Sequence, residues 1–157
     1  MKRLLPLVLI AALGAGGPAL AQPAPAAPAT AGVDFLAKNA KAPGVISLPS
    51  GLQYKVVSAG PAGRSPKPGD IIKVHYEGTL VGGQVFDSSI ARGKPVLFPL
   101  ANLVPGGMQA LPMMHVGDEW MLYLPADLGY GPEGQGPIPP NAVLIFRIKL
   151  LGMLSAD

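Results

Sequence analysis

The sequence lacks cysteine altogether and is poor in charge. None of its 157 residues is Cys, and Asp, Glu, Lys and Arg together make up only 13%. The absence of Cys excludes a disulfide framework, a thiol nucleophile and a lipid-anchored N-terminal Cys. Because 49% of the residues are hydrophobic, the chain can build a core that supplies its stability without disulfides.

The patterns of the common catalytic and metal sites are also missing. There are two histidines, and no H-E-x-x-H, C-x-x-C, G-x-S-x-G or P-loop motif occurs. His75 lies on the polar face of a predicted strand, so a structural role is favoured over a catalytic one. Asp87 is the only acid among aromatic residues, and it lacks the acidic partner of a glycosidase-type pair. We therefore expect neither a metal nor a cofactor.

The N-terminus has the pattern of a secretory signal peptide. Residues 1–21 start with Lys2 and Arg3, continue with an apolar run too short to span a bilayer, and close on A-L-A before Gln22. Cleavage there removes two of 12 basic residues, and the remaining ten against nine acidic ones give a net charge of +1. The pattern predicts export to the periplasm of a Gram-negative bacterium, with full secretion as the alternative. It predicts no membrane anchor after cleavage and no nucleic-acid partner.

Composition divides the rest of the chain into two segments. Residues 22–49 are predicted to be a Pro/Ala linker and a short helical segment, and residues 50–157 a folded domain. The Pro/Ala part, 22–31, is typical of an extended, semi-rigid spacer. Asp34 can cap a short helix that runs through Lys41. So short a helix is marginal alone and needs a partner surface.

Hydrophobic periodicity places strands, one helix and a long loop in the domain. Alternation over Ile71–Leu80 predicts a half-buried strand, and Gly82-Gly83 supply the positive φ of a tight hairpin turn. The other predicted elements are strands at Leu52–Val57, Val96–Phe98, Glu119–Leu124 and Ala142–Leu151, a helix over 102–111 and a loop over 125–141. This order predicts an α+β fold in which a curved antiparallel sheet of five to six strands folds over one short helix.

The few aromatic residues stand at strand ends and in loops. Those of interest for a site are Tyr76, Phe86, Phe98, Trp120, Tyr130 and Phe146. For any one of them a plain core role is favoured. However, Tyr130 lies in a Gly-rich loop and Phe86 lies at a hairpin end beside Asp87, and both places suit an apolar pocket with a few polar groups.

Seven motifs, in order and at close to the expected spacing, resemble the FKBP family of peptidyl-prolyl cis-trans isomerases. They are V-H-Y-E-G-T-L (74–80), F-D-S-S (86–89), K-P-V-L-F (94–98), V-P-G (104–106), M-x-V-G (114–117), G-Y-G (129–131) and I-P-P-N-A-x-L-I-F (138–146). The resemblance covers about residues 50–152. Residues 35–57 further resemble the segment before the catalytic domain in the bacterial macrophage-infectivity-potentiator type of FKBP. Those proteins have a long helical dimerisation region, for which this chain has only its short predicted helix, so we do not expect dimerisation through it.

The resemblance implies a half-barrel sheet around the short helix, with a desolvated pocket that accelerates X–Pro rotation without covalent or acid–base catalysis. The residues it implies as catalytic are Tyr76, Phe86, Asp87, Tyr130 and Phe146. Those it implies as substrate-binding are Val96, Leu103, Val104 and Ile138. Asp87 would offer its carboxylate, and the Val104 N–H and the Tyr130 hydroxyl would each bind a carbonyl. The implied partners are proline-containing segments of unfolded or exported proteins and macrolides such as tacrolimus or rapamycin.

Two positions depart from the family pattern. Val96 stands where the family often has Phe, and Gly107 stands where it usually has a Trp or another large residue at the pocket floor. Either Met108 fills that floor through a one-residue shift of the helix, or the pocket is deeper or softer than usual. The second departure keeps an alternative function open, a periplasmic chaperone or pocket-binding module with the same fold and weak turnover.

Overall fold

The computed structural model describes residues 28–156. The predicted signal peptide, 1–21, and residues 22–27 of the predicted linker lie outside the described residues. Within the described range, no helix is long and apolar enough to cross a membrane.

Seven antiparallel strands form one sheet. They are β1 (Val45–Ser47), β2 (Gln53–Ser58), β3 (Ile71–Leu80), β4 (Val85–Ser88), β5 (Val96–Pro99), β6 (Glu119–Leu124) and β7 (Leu144–Leu154). The order in the sheet is β1-β2-β6-β7-β3-β4, and β5 also pairs with β3. The predicted α+β class, with an antiparallel sheet over a short helix, is confirmed. The additional strand is β1, which the sequence pattern did not predict and which pairs with β2 from Val45↔Lys55 to Ser47↔Gln53.

Strand β3 lies beside β7 in the sheet, and its two edges are paired differently. One edge pairs with β7 from Ile71↔Leu154 to Leu80↔Leu144. The other edge is shared, because β5 covers residues 71–74 and β4 covers residues 77–79. Neither strand reaches Tyr76, so the backbone of Tyr76 needs another hydrogen-bond partner.

Ser89 supplies that partner. The Tyr76 N–H donates to the Ser89 hydroxyl at 2.8 Å, and the Ser89 N–H donates to the Tyr76 carbonyl at 2.9 Å. His75 Nδ1 lies 3.1 Å from the same hydroxyl, which agrees with the structural role predicted for this histidine. Ser89 is fully buried. One serine thus completes the edge of β3 where its two partner strands separate.

The predicted hairpin between β3 and β4 is confirmed. Gly83 has a φ of 90°, and its N–H donates to the Leu80 carbonyl at 2.9 Å. The Leu80 N–H donates in turn to the Gln84 carbonyl at 2.9 Å. Gly83 therefore provides the positive φ that this turn requires.

The short helix under the sheet, α2 (Pro105–Ala110), lies inside the predicted range 102–111 but begins later and ends earlier than predicted. Short 3₁₀ turns, Leu100–Asn102 and Leu111–Met113, flank it. A Cβ on Gly106 would lie 2.6 Å from the Leu124 side chain, so this glycine lets the helix approach β6. Packing thus offsets the low helix propensity of the glycines.

The N-terminal helix α1 (Pro28–Asn39) corrects two sequence expectations. It begins at Pro28 rather than at Asp34 and ends at Asn39 rather than at Lys41, so residues 28–31 belong to a helix and not to an extended spacer. Proline is compatible with the first turn of a helix because the N–H it lacks has no intrahelical partner there.

Contacts with the sheet hold α1 in place. The Gln53 side chain donates to the Leu36 carbonyl at 2.9 Å and accepts from the Asn39 side chain at 2.8 Å. The Phe35 and Tyr123 ring centroids are 5.9 Å apart. Tyr123 points away from the face that carries Leu122 and Leu124, so α1 and α2 cover opposite faces of the sheet.

The core lies between the sheet and α2. Its fully buried side chains include Leu52, Ile72, Leu111, Met114, Leu122, Leu124, Leu144 and Leu150. One buried carboxylate, Asp118, ties a loop to it, because Asp118 accepts the Gly60 N–H at 2.6 Å and the His115 N–H at 2.9 Å. Burial by itself would raise the Asp118 pKa, but these two N–H groups outweigh it, and the pKa lies below its ordinary value.

Asp118→Asn should destabilise the fold by about 1–3 kcal/mol at pH 7, because an amide nitrogen would face a buried N–H. The folded-state pKa of Asp118 is below the unfolded one, so its stabilisation is complete above the unfolded pKa of about 3.9 and is lost as the pH falls through the folded value. Urea unfolding at pH 7 and below pH 4 should therefore show a gap between wild type and variant that narrows in acid. The control Asp127→Asn, at an exposed site, should show no gap at either pH. A gap for Asp118→Asn that stays constant with pH would contradict this account.

Candidate active site

A cavity of about 510 Å³ opens between the inner face of the sheet and α2. Its volume lies in the range of roughly 300–1,000 Å³ that is usual for small-molecule sites. Most of its lining is apolar. The lining residues are Ile72, Val74, Tyr76, Phe86, Asp87, Phe98, Asn102, Leu103, Val104, Gly107, Leu111, Leu122, Leu124, Tyr130, Gln135, Phe146 and Ile148.

Four aromatic rings from four strands form a continuous wall. The Phe86 and Phe146 centroids are 5.6 Å apart at 89°, an edge-to-face pair. Tyr76 joins them, with its ring centroid 6.5 Å from that of Phe146 and 5.8 Å from that of Phe98. These separations are those at which aromatic pairs attract each other. The wall is therefore packed before any ligand enters.

Gly78 makes this wall possible. It lies on β3 two residues after Tyr76 and on the same face, with Phe146 as its partner on β7. A Cβ at Gly78 would lie 2.4 Å from Phe86 Cζ and 2.9 Å from Phe146 Cε1. The missing side chain is thus the space in which the two rings meet.

A polar cluster stands beside this wall. The Tyr76 hydroxyl donates to one oxygen of Asp87, and Arg92 donates to the other. The Arg92 guanidinium also donates to the Tyr76 hydroxyl at 3.2 Å, and it lies 5.9 Å from the centre of the Tyr76 ring. The Asp87 carboxylate is therefore held from two sides and carries a counter-charge.

These contacts keep Asp87 ionised. Burial acts to raise the Asp87 pKa, but the hydrogen bonds from Tyr76 and Arg92 and the Arg92 charge outweigh it, so the pKa lies below its ordinary value. Burial, followed by the hydrogen bond to Asp87, raises the pKa of Tyr76, so Tyr76 stays a hydrogen-bond donor at neutral pH. Neither group is poised to exchange a proton near pH 7.

Two partly buried donors in the lining have no protein partner among the described residues. In the part of the chain that the structure describes, neither the Val104 N–H nor the Tyr130 hydroxyl makes a hydrogen bond. Tyr130 is carried by the loop 125–141, which is ordered by its own backbone. Gly134 N–H donates to the Tyr130 carbonyl at 3.2 Å, and Asn141 N–H donates to the Gly131 carbonyl at 2.9 Å.

The structure brings together seven of the nine residues that the resemblance implied. Five of them have implied catalytic roles: Tyr76, Phe86, Asp87, Tyr130 and Phe146. The other two, Leu103 and Val104, have implied binding roles. The roles themselves stay predictions. Val96 and Ile138 do not line the cavity, which corrects their expected position. Ile138 is buried and anchors the loop in the core, whereas Val96 is a short side chain on β5 next to the longer Phe98.

Sequence reasoning missed several residues of the site, among them Phe98, Asn102, Gln135 and Arg92. Phe98 lies two residues after Val96 on the same strand face, so alternation alone could have indicated it. Asn102 and Gln135 place carboxamides in the lining, but both are polar loop residues without a distinctive pattern. Arg92 lies five residues after Asp87 in a loop, and only the folded geometry shows their ion pair.

The structure shows whether Met108 fills the cavity floor beside Gly107. Met108 is 40% exposed and does not line the cavity, so the helix has not shifted to place it there. The base consists of the Gly107 backbone and the fully buried Leu111, Leu122 and Leu124. The floor is therefore aliphatic and closed.

As a whole, the cavity suits a neutral, mostly apolar group with a carbonyl or two. Its wall offers rings, its lining offers two free donors, and its one carboxylate is already paired with Arg92. Among the described residues, no group of three or more His, Cys, Asp or Glu could hold a metal ion. This arrangement suits the binding of such a neutral, mostly apolar group.

Comparison with known proteins gives the class. The family model described as FKBP-type peptidyl-prolyl cis-trans isomerase matches residues 62–151, and a model of the domain amino-terminal to that isomerase matches residues 19–56. The chain belongs to the FKBP-type peptidyl-prolyl cis-trans isomerase family.

Individual proteins of this family are similar to the chain over most of its length. The chain is 49% identical over 122 residues to the FKBP-type peptidyl-prolyl cis-trans isomerase FkpA of Aeromonas hydrophila, with 78% of this chain and 45% of the relative covered. It is 46% identical over 123 residues to the outer membrane protein MIP of Legionella longbeachae, covering 78% and 52%. The crystal structure of FkpA from Escherichia coli superposes with a TM-score of 0.78 at 39% identity, covering 82% of this chain and 60% of that one. The chain thus spans about half the length of these curated relatives.

Gly78→Ala should disrupt the aromatic wall. Because the new methyl group would overlap the Phe86 and Phe146 rings, at least one ring has to move. The thermal midpoint of unfolding and the rate of substrate turnover should therefore both fall. Overpacking of this kind typically costs about 1–3 kcal/mol. Gly82→Ala is the matched control, because nothing lies within 4 Å of its Cβ. Equal melting temperatures for the two variants would show that Gly78 does not limit the packing of the rings.

Proposed function

We propose that this protein catalyses cis–trans isomerisation of X–Pro peptide bonds. The observation that carries the proposal is the four-ring wall of Tyr76, Phe86, Phe98 and Phe146 beside an ionised, paired carboxylate and two free donors. Membership of the isomerase family supports the same reaction. No step of this reaction requires a nucleophile or a proton transfer, which agrees with the absence of such groups from the lining.

The chemistry explains why such a pocket accelerates rotation. The barrier of about 18–20 kcal/mol arises because rotation breaks amide resonance. At the twisted geometry the amide loses the charge separation between its oxygen and its nitrogen, so it loses less solvation than the planar amide when it leaves water. A site that excludes water and fits the twisted amide binds the transition state more tightly than the ground state, and this difference is the source of catalysis.

We assign the roles as follows. Phe86 and Phe146 enclose the prolyl ring, and Tyr76 with Asp87 holds the polar edge of the pocket. The Val104 N–H and the Tyr130 hydroxyl each donate to a substrate carbonyl. Arg92 is a positioning residue, because it fixes the Asp87 carboxylate through a direct hydrogen bond. Asn102 and Gln135 line the cavity, and their carboxamides bind the chain on either side of proline.

Exported proteins supply the substrates under this proposal. The basic and apolar start of residues 1–21 supports export, and the periplasm is the proposed compartment. The substrates are proline-containing segments of unfolded or exported proteins, and macrolides such as tacrolimus or rapamycin are proposed ligands of the same cavity. A second function, a periplasmic chaperone or pocket-binding module with weak turnover, is favoured by one observation, the glycine at position 107 of the floor.

Isomerisation of an X–Pro peptide by the mature chain, residues 22–157, tests the function directly. Phe146→Ala should lower kcat/KM by about tenfold or more, the change that corresponds to about 1.4 kcal/mol of transition-state stabilisation. Phe35→Ala is the matched control, because Phe35 lies on α1 and contacts Tyr123 outside the cavity. A folded wild type without any rate above background would refute the enzyme, and suppression of aggregation of an unfolded protein would then support the chaperone. Equal activity of the two variants would refute the assigned site.

Arg92→Ala should move the acid limb of the pH–rate profile to higher pH. Arg92 contributes a hydrogen bond and a charge that lower the Asp87 pKa, so without it the carboxylate takes up a proton at a less acidic pH. Between the two pKa values, wild type keeps an ionised Asp87 and the variant does not. Arg64→Ala is the control, since Arg64 hydrogen-bonds Ser155 away from the cavity. Superimposable profiles for wild type and Arg92→Ala would show that Asp87 ionisation does not matter for turnover.

A further inference from the structure

We propose that a second, smaller cavity of this protein binds a phosphoryl group. This cavity has a volume of about 200 Å³ and opens where the loop before β3 meets the end of β7. None of the residues that line it also lines the aromatic cavity. The proposed anion site is therefore separate from the proposed isomerase site. Its lining residues are Arg64, Ser65, Lys67, Asp70, Met153 and Ser155.

The loop that carries the two cations of this anion site is held along its length. The Arg64 carbonyl accepts the Val116 N–H at 3.2 Å, and the side chain of Pro66 is fully buried. The Lys67 N–H donates to the Asp70 carboxylate at 2.8 Å. Because the backbone at both cations is already fixed, a ligand does not have to order this loop when it binds.

The side chains around the cavity offer hydrogen-bond donors to a ligand. One N–H of the Arg64 guanidinium donates to the Ser155 hydroxyl at 2.8 Å, and this single bond leaves the other N–H groups for a ligand. Among the described residues, no ion pair includes Arg64 or Lys67. Ser65 and Ser155 add hydroxyl groups, which can donate as well as accept.

The carboxylate in the lining, Asp70, is engaged with the backbone. Asp70 is only 5% exposed, and one of its oxygens accepts the Lys67 N–H. The other oxygen accepts the Ala156 N–H at 3.3 Å. The lining thus has two positive side chains against one negative side chain, and the negative one is already hydrogen-bonded within the protein. An anion is the ligand that this combination of charges and donors attracts.

The donor set favours a phosphoryl group over a carboxylate. A guanidinium, an ammonium and hydroxyl groups are supplied by two segments of the chain, residues 64–67 and residue 155. A single guanidinium fork is enough to bind a planar carboxylate, whereas a phosphoryl group presents about three strong acceptor oxygens to separate donors. Met153 adds an apolar wall, so the cavity also suits a small substituent on the phosphate.

Titration of inorganic phosphate into the chain of residues 22–157, at constant ionic strength, tests the site. Amide chemical shifts should change in a saturable way at Ser65, Lys67 and Ser155. Arg64→Gln and Lys67→Gln should each weaken binding by about tenfold or more, because each removes a charge-assisted hydrogen bond to the anion.

Lys149→Gln is the matched control for these two variants. It removes the same charge from an exposed position on β7 that does not line the cavity. Because salt screens exposed charges at a distance, its dissociation constant for phosphate should stay within about twofold of wild type.

Further probes identify the source of the phosphoryl group. Glycerol phosphate should bind at least as tightly as inorganic phosphate, and acetate should bind about tenfold more weakly. Cosedimentation with phosphatidylglycerol vesicles that is lost in Arg64→Gln and kept in Lys149→Gln would identify the source as a lipid headgroup. Binding of glycerol phosphate without cosedimentation would identify it as a soluble phosphate ester. Both results support the site.

Other outcomes would overturn the proposal. Shifts that grow linearly with phosphate, or an equal effect of all three substitutions, would show only a general attraction of anions to a basic surface. Acetate that binds as tightly as phosphate would refute the phosphoryl assignment. The readout is binding and not turnover, so the anion site and the proposed isomerase function can each fail without the other.

Discussion

The pair of hydrogen bonds between Tyr76 and Ser89 is the constraint on which the site depends. Strand β3 has β7 along the whole of one edge, but its other edge is divided between β5 and β4. Ser89 satisfies both backbone groups of Tyr76 at the division, at 2.8 and 2.9 Å. The two partner strands can therefore separate without leaving a buried amide unpaired. The aromatic cavity lies at this division, with Phe86 from one strand and Phe98 from the other.

Electrostatics and packing both suit the site to an uncharged, mostly apolar group. Arg92 neutralises the only carboxylate of the lining, so the cavity holds a fixed dipole without a net charge to be desolvated. Gly78 gives up its own side chain so that two rings can meet edge to face. Such a site offers a substrate a dry wall with a few oriented donors, and it offers no group for covalent chemistry. Those are the demands of rotation about an amide bond.

Much of the fold followed from local patterns. Strand β6 and the turn at Gly83 were predicted because alternation and glycine act over a few residues. The start of α1 was not predicted, because packing of the helix on Gln53 overrides a Pro/Ala composition that favours an extended spacer.

At the site, seven of the residues that the family motifs implied lie together in the cavity, and their roles stay predictions. Ile138 failed because its loop turns that side chain into the core. The role of Arg92 could not be predicted, because Arg92 lies in a loop without periodicity. Only the folded structure shows that its guanidinium pairs with the Asp87 carboxylate.

The pairing of β3 with β7 has a consequence for the order of events during biogenesis. Strand β3 finds its longest partner in β7, residues 144–154, which follow it far along the chain. Until β7 is available to pair, β3 therefore carries an unpaired edge and an apolar face. Long-range pairing of this kind is slow, and the interval exposes the strand to association with other chains.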